Sequence, residues 1–149
     1  MDSKQLKNIF HKLALANGFV RKHSAWFKES TDNIVSLDLQ RSYYSNLYYL
    51  NIKTFVKGMF GKNHTISKEL TQDMGDIFRR EPNNFNDVFN LDIEMPDSDR
   101  EKKLNKLFSD FLIEYVNMMS DKSKIIKEYY SGSNTFGLLP AVRKELGIS

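Results

Sequence analysis

A carboxylate, two side-chain amides and a phenol fall on one face of a sheet if a simple pattern in this chain is taken at face value. Val35, Leu37 and Leu39 alternate with Ser36, Asp38 and Gln40, and further on Leu50 and Ile52 alternate with Tyr49, Asn51 and Lys53. A period of two over such lengths predicts two half-buried strands. A four-residue loop, Tyr43 to Asn46, sets Leu39 opposite Leu50 and Leu37 opposite Ile52. The same register sets Gln40 opposite Tyr49 and Asp38 opposite Asn51. A slip of one residue would move the leucines onto the Asn51 face, which is unfavourable. Asp38, Gln40, Tyr49 and Asn51 therefore share a polar face and form the candidate ligand-binding group. Amides and a phenol recognise partners by hydrogen bonding. Asp38 is expected to be held by Asn51 and Lys53 rather than tuned for proton transfer.

Other chemistry finds little support. His11, His23 and His64 show no metal-ligand spacing, and with no cysteine in the chain thiolate sites and disulfides are excluded. His11 lies off the apolar stripe of its helix and is expected to be solvated. The string from Gly58 to Asn63 lacks the spacing and the hydroxyl of a phosphate loop. No nucleophile elbow is present, and neither a metal nor a cofactor is implied. Tyr43, Tyr44, Tyr48 and Tyr49 near Arg41 and Lys53 suggest base stacking, but Tyr48 shares the apolar face and the aromatic sequence of RNA-recognition sheets is absent. Net charge is only +3, although it is segregated: residues 1–68 carry +7, residues 69–101 carry −7 and the remainder +3. The favoured reading is that the acidic segment folds back on the basic part; the other is a dipolar surface that steers a charged partner.

The elements that must position the polar face can be read in outline. At 149 residues, with 40% hydrophobic and 13% aromatic content, the chain is expected to form one packed domain, residues 1–149. A helix over 3–17 carries Leu6, Ile9, Phe10 and Leu13 on one stripe, with Asp2 and Gln5 placed for a reciprocal cap. Short strands follow near Phe19–Lys22 and Ala25–Glu29, then the long hairpin. Gly58 and Gly61 mark a loop, Ile66 to Leu70 suits a helical turn, and Ile77–Arg80 suits a fifth strand. An irregular acidic stretch, Asn83 to Met95, is pinned by Phe85, Val88, Phe89 and Leu91. Ser98 with Glu101 predicts a capping box at the head of a helix whose stripe runs Leu104, Leu107, Phe108, Phe111, Leu112, Tyr115 and Met118. Shorter helices are expected near 122–130 and 138–146. This order implies an α+β fold: an N-terminal helix, an antiparallel meander sheet of four to five strands, and C-terminal helices packed on one face. Leu37, Leu39, Leu50 and Ile52 should be buried beneath those helices. No apolar leader and no run long enough to span a membrane is seen, so a cytoplasmic location is expected.

Several strings also resemble a known family. They are Asn17-Gly18-Phe19 closing the first helix, Arg21-Lys22, Ala25-Trp26-Phe27-Lys28, Leu37 through Tyr43, and Tyr48 through Ile52. Together they resemble the bacterial domain-of-unknown-function family numbered forty-three-oh-four, from about Leu6 to Phe55 with a weaker echo at Ile77–Arg80. The resemblance implies a fold and an intracellular bacterial host, and no activity. It maps that family's habitual Gln, Asn and Arg onto Gln40, Asn51 and Arg79, with Arg80 as the alternative, so Arg79 joins the candidate group. The leading functional reading is a small non-enzymatic module that binds, docks to or neutralises another protein. The alternatives are single-stranded nucleic-acid or nucleotide binding through the polar face, and an enzyme with a site assembled there from distant residues.

Overall fold

The computed structural model describes residues 1–132 and 137–148. Helix α1 (Ser3–Ala16) leads into a five-stranded antiparallel sheet: β1 (Val20–Lys22), β2 (Ala25–Glu29), β3 (Asn33–Arg41), β4 (Tyr48–Val56) and β5 (Ile77–Arg80). The spatial order is the chain order, β1-β2-β3-β4-β5. A short helix α2 (Lys68–Gln72) interrupts the β4–β5 connection, and a 3₁₀ segment spans Asn83–Phe89. Helix α3 (Asp97–Leu107) continues through a wide turn, Phe108–Leu112, into α4 (Ile113–Met119); α5 (Lys122–Tyr130) and α6 (Pro140–Glu145) follow.

The hairpin forms in the register that its alternation demands. Leu39 pairs with Leu50, Leu37 with Ile52, Gln40 with Tyr49 and Asp38 with Asn51. The reciprocal cap of α1 also forms: the Gln5 N–H donates to the Asp2 carboxylate and the Asp2 N–H to the Gln5 side-chain oxygen, both at 2.8 Å. The β1–β2 connection is a two-residue turn in which His23 and Ser24 both take the left-handed conformation, φ 52° and 66°. That is the primed geometry matching strand twist, and a non-glycine residue there carries strain of ~1–2 kcal/mol. Ser24→Gly should therefore stabilise the protein by about 0.5–1 kcal/mol after the entropic cost of glycine. Urea unfolding checks this, and a loss of stability would mean that the serine side chain matters more than its backbone strain.

Helix α1, the 3₁₀ segment and α3 to α5 cover one face of the sheet. Phe10, fully buried, sits at the middle of this layer. Its ring centroid lies 4.8 Å from that of Trp26, 5.2 Å from Phe108 and 6.3 Å from Phe89. His11, expected in solvent, instead accepts the Trp26 indole N–H at 2.9 Å through Nδ1. One turn of helix places it over the rim of the core, where the only free indole donor needs a partner. Leu39, expected in the core, packs against it but is only partly buried, because it lies near the turn that closes the hairpin.

Two further expectations fail for local reasons. The capping box at Ser98 is absent: the helix begins two residues earlier, with Pro96 at its cap, and Ser98 lies inside the first turn. The apolar stripe also changes position. Val116 and Met119 are buried, while Phe111 and Met118 lie at the edge of the core. The wide turn explains the change. The Ile113 N–H reaches back five residues to the Phe108 carbonyl, so every later side chain advances by one position.

Arg100 organises the irregular acidic stretch. It is buried, and its Nη1 donates to the carbonyls of Asp87, Val88 and Asn90 at 3.1, 2.8 and 3.2 Å, while Nη2 donates to Ile93 at 2.9 Å. One guanidinium thus satisfies four backbone acceptors in a segment that has no ladder of its own.

The second face of the sheet is not polar throughout. At one end Ala25, Phe27, Ile34 and Phe55 form a smaller apolar cluster covered by Leu70 of α2 and by Ile66. Only the other end carries the polar group.

Candidate functional site

Three strands deliver the polar end of the second face. Asp38 and Gln40 project from β3, Tyr49, Asn51 and Lys53 from β4, and Arg80 from β5, where it pairs with Asn51. Asn51 is the hub. Its Nδ2 donates to Asp38 Oδ1 and to Gln40 Oε1, both at 2.9 Å. Its Oδ1 accepts from Arg80 Nε at 3.2 Å. The Arg80 guanidinium also lies 4.2 Å from the centroid of the Tyr49 ring. Lys53 Nζ stands 3.3 Å from Asp38 Oδ2 and donates to the Thr71 carbonyl at 3.0 Å. Asp38, Gln40, Tyr49 and Asn51 are therefore brought together. Arg79 is not: its partner is Ile52, so alternation sends it to the helix-covered face, and Arg80 occupies the place expected for it.

The network's chemistry follows from its saturation. Both amide hydrogens of Asn51 and its oxygen are engaged, and both Asp38 oxygens face a donor or a cation. Such a group ties three strands together. It offers no pair of groups poised to pass a proton.

Arg79 helps to build a different feature. Its guanidinium lies over the rings of Phe111 and Tyr115, 4.5 and 5.2 Å from their centroids, and those rings stack at 14°. They wall a groove of about 740 Å³ between β5, the wide turn and α5. The Tyr115 hydroxyl is buried with no hydrogen-bond partner among the described residues. Burial pushes its pKa up to about 12, against the opposing pull of Arg79. The lining holds Lys124 and Lys127 but also Asp110 and Glu114, so its charge selects neither sign of ligand. No local string could reveal this groove, since its walls come from three distant parts of the chain.

The tip of the β3–β4 hairpin is a third feature. Tyr43 and Tyr44 are 96% and 97% exposed. Yet the two ends of the loop that carries them are braced. Arg41 Nη2 donates to Asn46 Oδ1 at 2.7 Å, and the Asn46 backbone and side-chain N–H groups both donate to the Asp92 carboxylate at 3.1 Å. The Leu91 N–H donates to the Asn46 carbonyl at 3.0 Å, and the Ser42 N–H to the Leu47 carbonyl at 2.8 Å. Sequence placed both tyrosines in the loop; the signal for the bracing, Asp92, lies 46 residues beyond Asn46.

Two carboxylates, Glu81 buried and Asp76 half-buried, finish the β4–β5 ladder. β5 is shorter than β4 and leaves the N–H groups of Leu50 and Val56 without strand partners. Glu81 accepts the Leu50 N–H at 3.0 Å and Asp76 accepts the Val56 N–H at 2.7 Å, one at each end of β5. Burial raises the pKa of both, opposed by these same hydrogen bonds. Six residues of extended strand separate the two N–H groups, ~20 Å, so the acids cannot act as a catalytic pair. An acid with a raised folded pKa binds its proton more tightly in the native state. Its ionisation therefore costs stability as pH rises from the unfolded value through the folded one. Glu81→Gln keeps an acceptor and removes the charge. Its stability relative to wild type should be more favourable at pH 7 than near pH 4, by urea unfolding at both. A pH-independent difference would show that the carboxylate is not desolvated.

Among the described residues no helix is long and apolar enough to cross a membrane. The model of the family described as a domain of unknown function, DUF4304, matches residues 10–118. That span reaches well past Phe55, through β5, the Arg100 clamp and most of α4. No curated protein and no solved structure matches the chain.

Proposed function

Because the chain belongs to the DUF4304 family, whose description assigns no activity, we propose from its geometry that it is a protein-interaction module that docks through the tip of the β3–β4 hairpin. The observation that carries this reading is the exposure of Tyr43 and Tyr44 on a loop whose two ends are braced at Arg41 and Asn46. Tyrosine supplies large contact area with few rotatable bonds, and interface hot spots are enriched in it. A loop already held in place loses little freedom on binding, so more of the contact energy appears as affinity. The absence of a proton-transfer arrangement on the polar face supports a binding role over a catalytic one. Nucleic-acid binding through that face is less well supported, because Arg80 already lies over the Tyr49 ring that a base would need.

The test compares two double variants in capture of partners from the source cell. Tyr43→Ser/Tyr44→Ser should change stability by less than about 0.5 kcal/mol, as exposed positions do, and should lose the captured partner. Gln40→Ala/Asn51→Ala should lower stability and, once folded, retain it. The reverse outcome would transfer the site to the polar face. Tight oligonucleotide binding that collapses with added salt would favour the nucleic-acid alternative.

A further inference from the structure

The smaller apolar cluster would lie open to water but for one segment of the chain, residues 63–74. Within it only Leu70 is buried, and Ile66 packs on the cluster while partly exposed. The His64 ring meets the Phe55 ring edge-on at 5.2 Å. A single hydrogen bond between described residues ties the segment to the sheet, from Lys53 Nζ to the Thr71 carbonyl at 3.0 Å. Its one regular element is the five-residue α2, capped by Ser67, which is too short to persist unsupported.

The ends of the segment are built differently. Gly61 and Gly75 flank it, both in the left-handed region at φ 73° and 78°. Gly75 also runs so close to β4 that a Cβ would stand 3.1 Å from the Thr54 carbonyl oxygen. Just outside these glycines the chain is anchored. Met59 is buried in the main core. The Asp76 N–H donates to Thr54 at 2.8 Å while its carboxylate accepts from Val56 at 2.7 Å. Two firm anchors, two glycines and a weakly held span between them make a hinge geometry.

We propose that residues 63–74 form a strap that opens as a unit about Gly61 and Gly75 while the sheet and its helix layer stay folded, uncovering Phe27, Ile34 and Phe55. Proteins open in cooperative pieces, and the piece with the fewest buried apolar contacts opens first. The strap is held by one buried leucine, part of an isoleucine, one ring contact and one hydrogen bond, whereas the helix layer opposite buries whole rows of side chains. The device stands on this geometry alone and is independent of the hairpin-tip reading.

Native-state proteolysis of the full chain tests it. Lys68 heads α2 and is exposed, but trypsin needs several residues on either side in extended form, so a cut there requires the strap to lift. Trp26, the chain's one tryptophan, lies in the main core and reports global unfolding. Cleavage after Lys68 should precede loss of the Trp26 signal. Leu70→Ala should accelerate it tenfold or more with little change in the urea midpoint read at Trp26, and should brighten the dye 1-anilinonaphthalene-8-sulfonate. A cleavage rate that rises only in proportion to lost global stability overturns the proposal. Should Leu70→Ala not fold, Ile66→Ala decides on the same two readouts: faster cleavage at an unchanged midpoint sustains the strap, and parallel change defeats it.

Discussion

Arg100→Met should lower stability by about 3–5 kcal/mol, far more than its loss of charge on a surface would cost. The methionine can replace the packing of the side chain. It cannot donate to the four carbonyls of Asp87, Val88, Asn90 and Ile93 that the guanidinium now serves. Each acceptor left buried and unpaired costs ~1–3 kcal/mol, moderated where water can reach it. Arg100→Lys should recover less than half of the loss. An ammonium is compact and cannot present the planar fork that spans these acceptors. Urea unfolding followed at Trp26 measures both. An effect below about 1 kcal/mol would mean that the irregular stretch holds its shape through Phe85, Val88 and Phe89 alone.

Phe10→Ala should cost a further 3–5 kcal/mol or so, in the range of buried phenylalanines, by the same measurement. This ring touches β2 through Trp26, the 3₁₀ segment through Phe89 and the wide turn through Phe108. Elements from three parts of the sequence would have to move together to fill the void, so relaxation can recover little. The neighbouring His11 to Trp26 hydrogen bond should weaken at the same time, with a shift in Trp26 emission. An effect under about 1.5 kcal/mol would point to collapse of α1 onto the sheet.

The hairpin was legible in the sequence because alternation settles register unambiguously when one face is greasy. Leu37 and Ile52 could meet only one way, and Asp38, Gln40, Tyr49 and Asn51 followed from that. Arg79 against Arg80 was not legible. The choice depends on which residue of β5 meets Asn51, across a connection whose length constrains nothing. The wide turn was equally silent, since no residue type signals an extra residue in a helix, and it moved Val116 and Met119 inward. Other signals were present. Ile34 beside Val35 and Phe55 beside Val56 are adjacent apolar pairs, which say that both faces of the sheet are covered at that end. Arg100 stands four and seven residues before Leu104 and Leu107, on their own stripe, which marks it as an inward-facing charge in need of acceptors.

The strand order carries a consequence for how the chain finds its fold. In a sheet where every neighbour is also the next strand, assembly can begin at β3–β4 and spread outward by closing short loops. β2 joins across a turn of three residues and β1 across one of two, whereas β5 must return over twenty. The entropic toll of that closure falls on one step. Stabilising changes in the hairpin should therefore quicken folding, and changes along β5 should register mainly in how fast the native state comes apart.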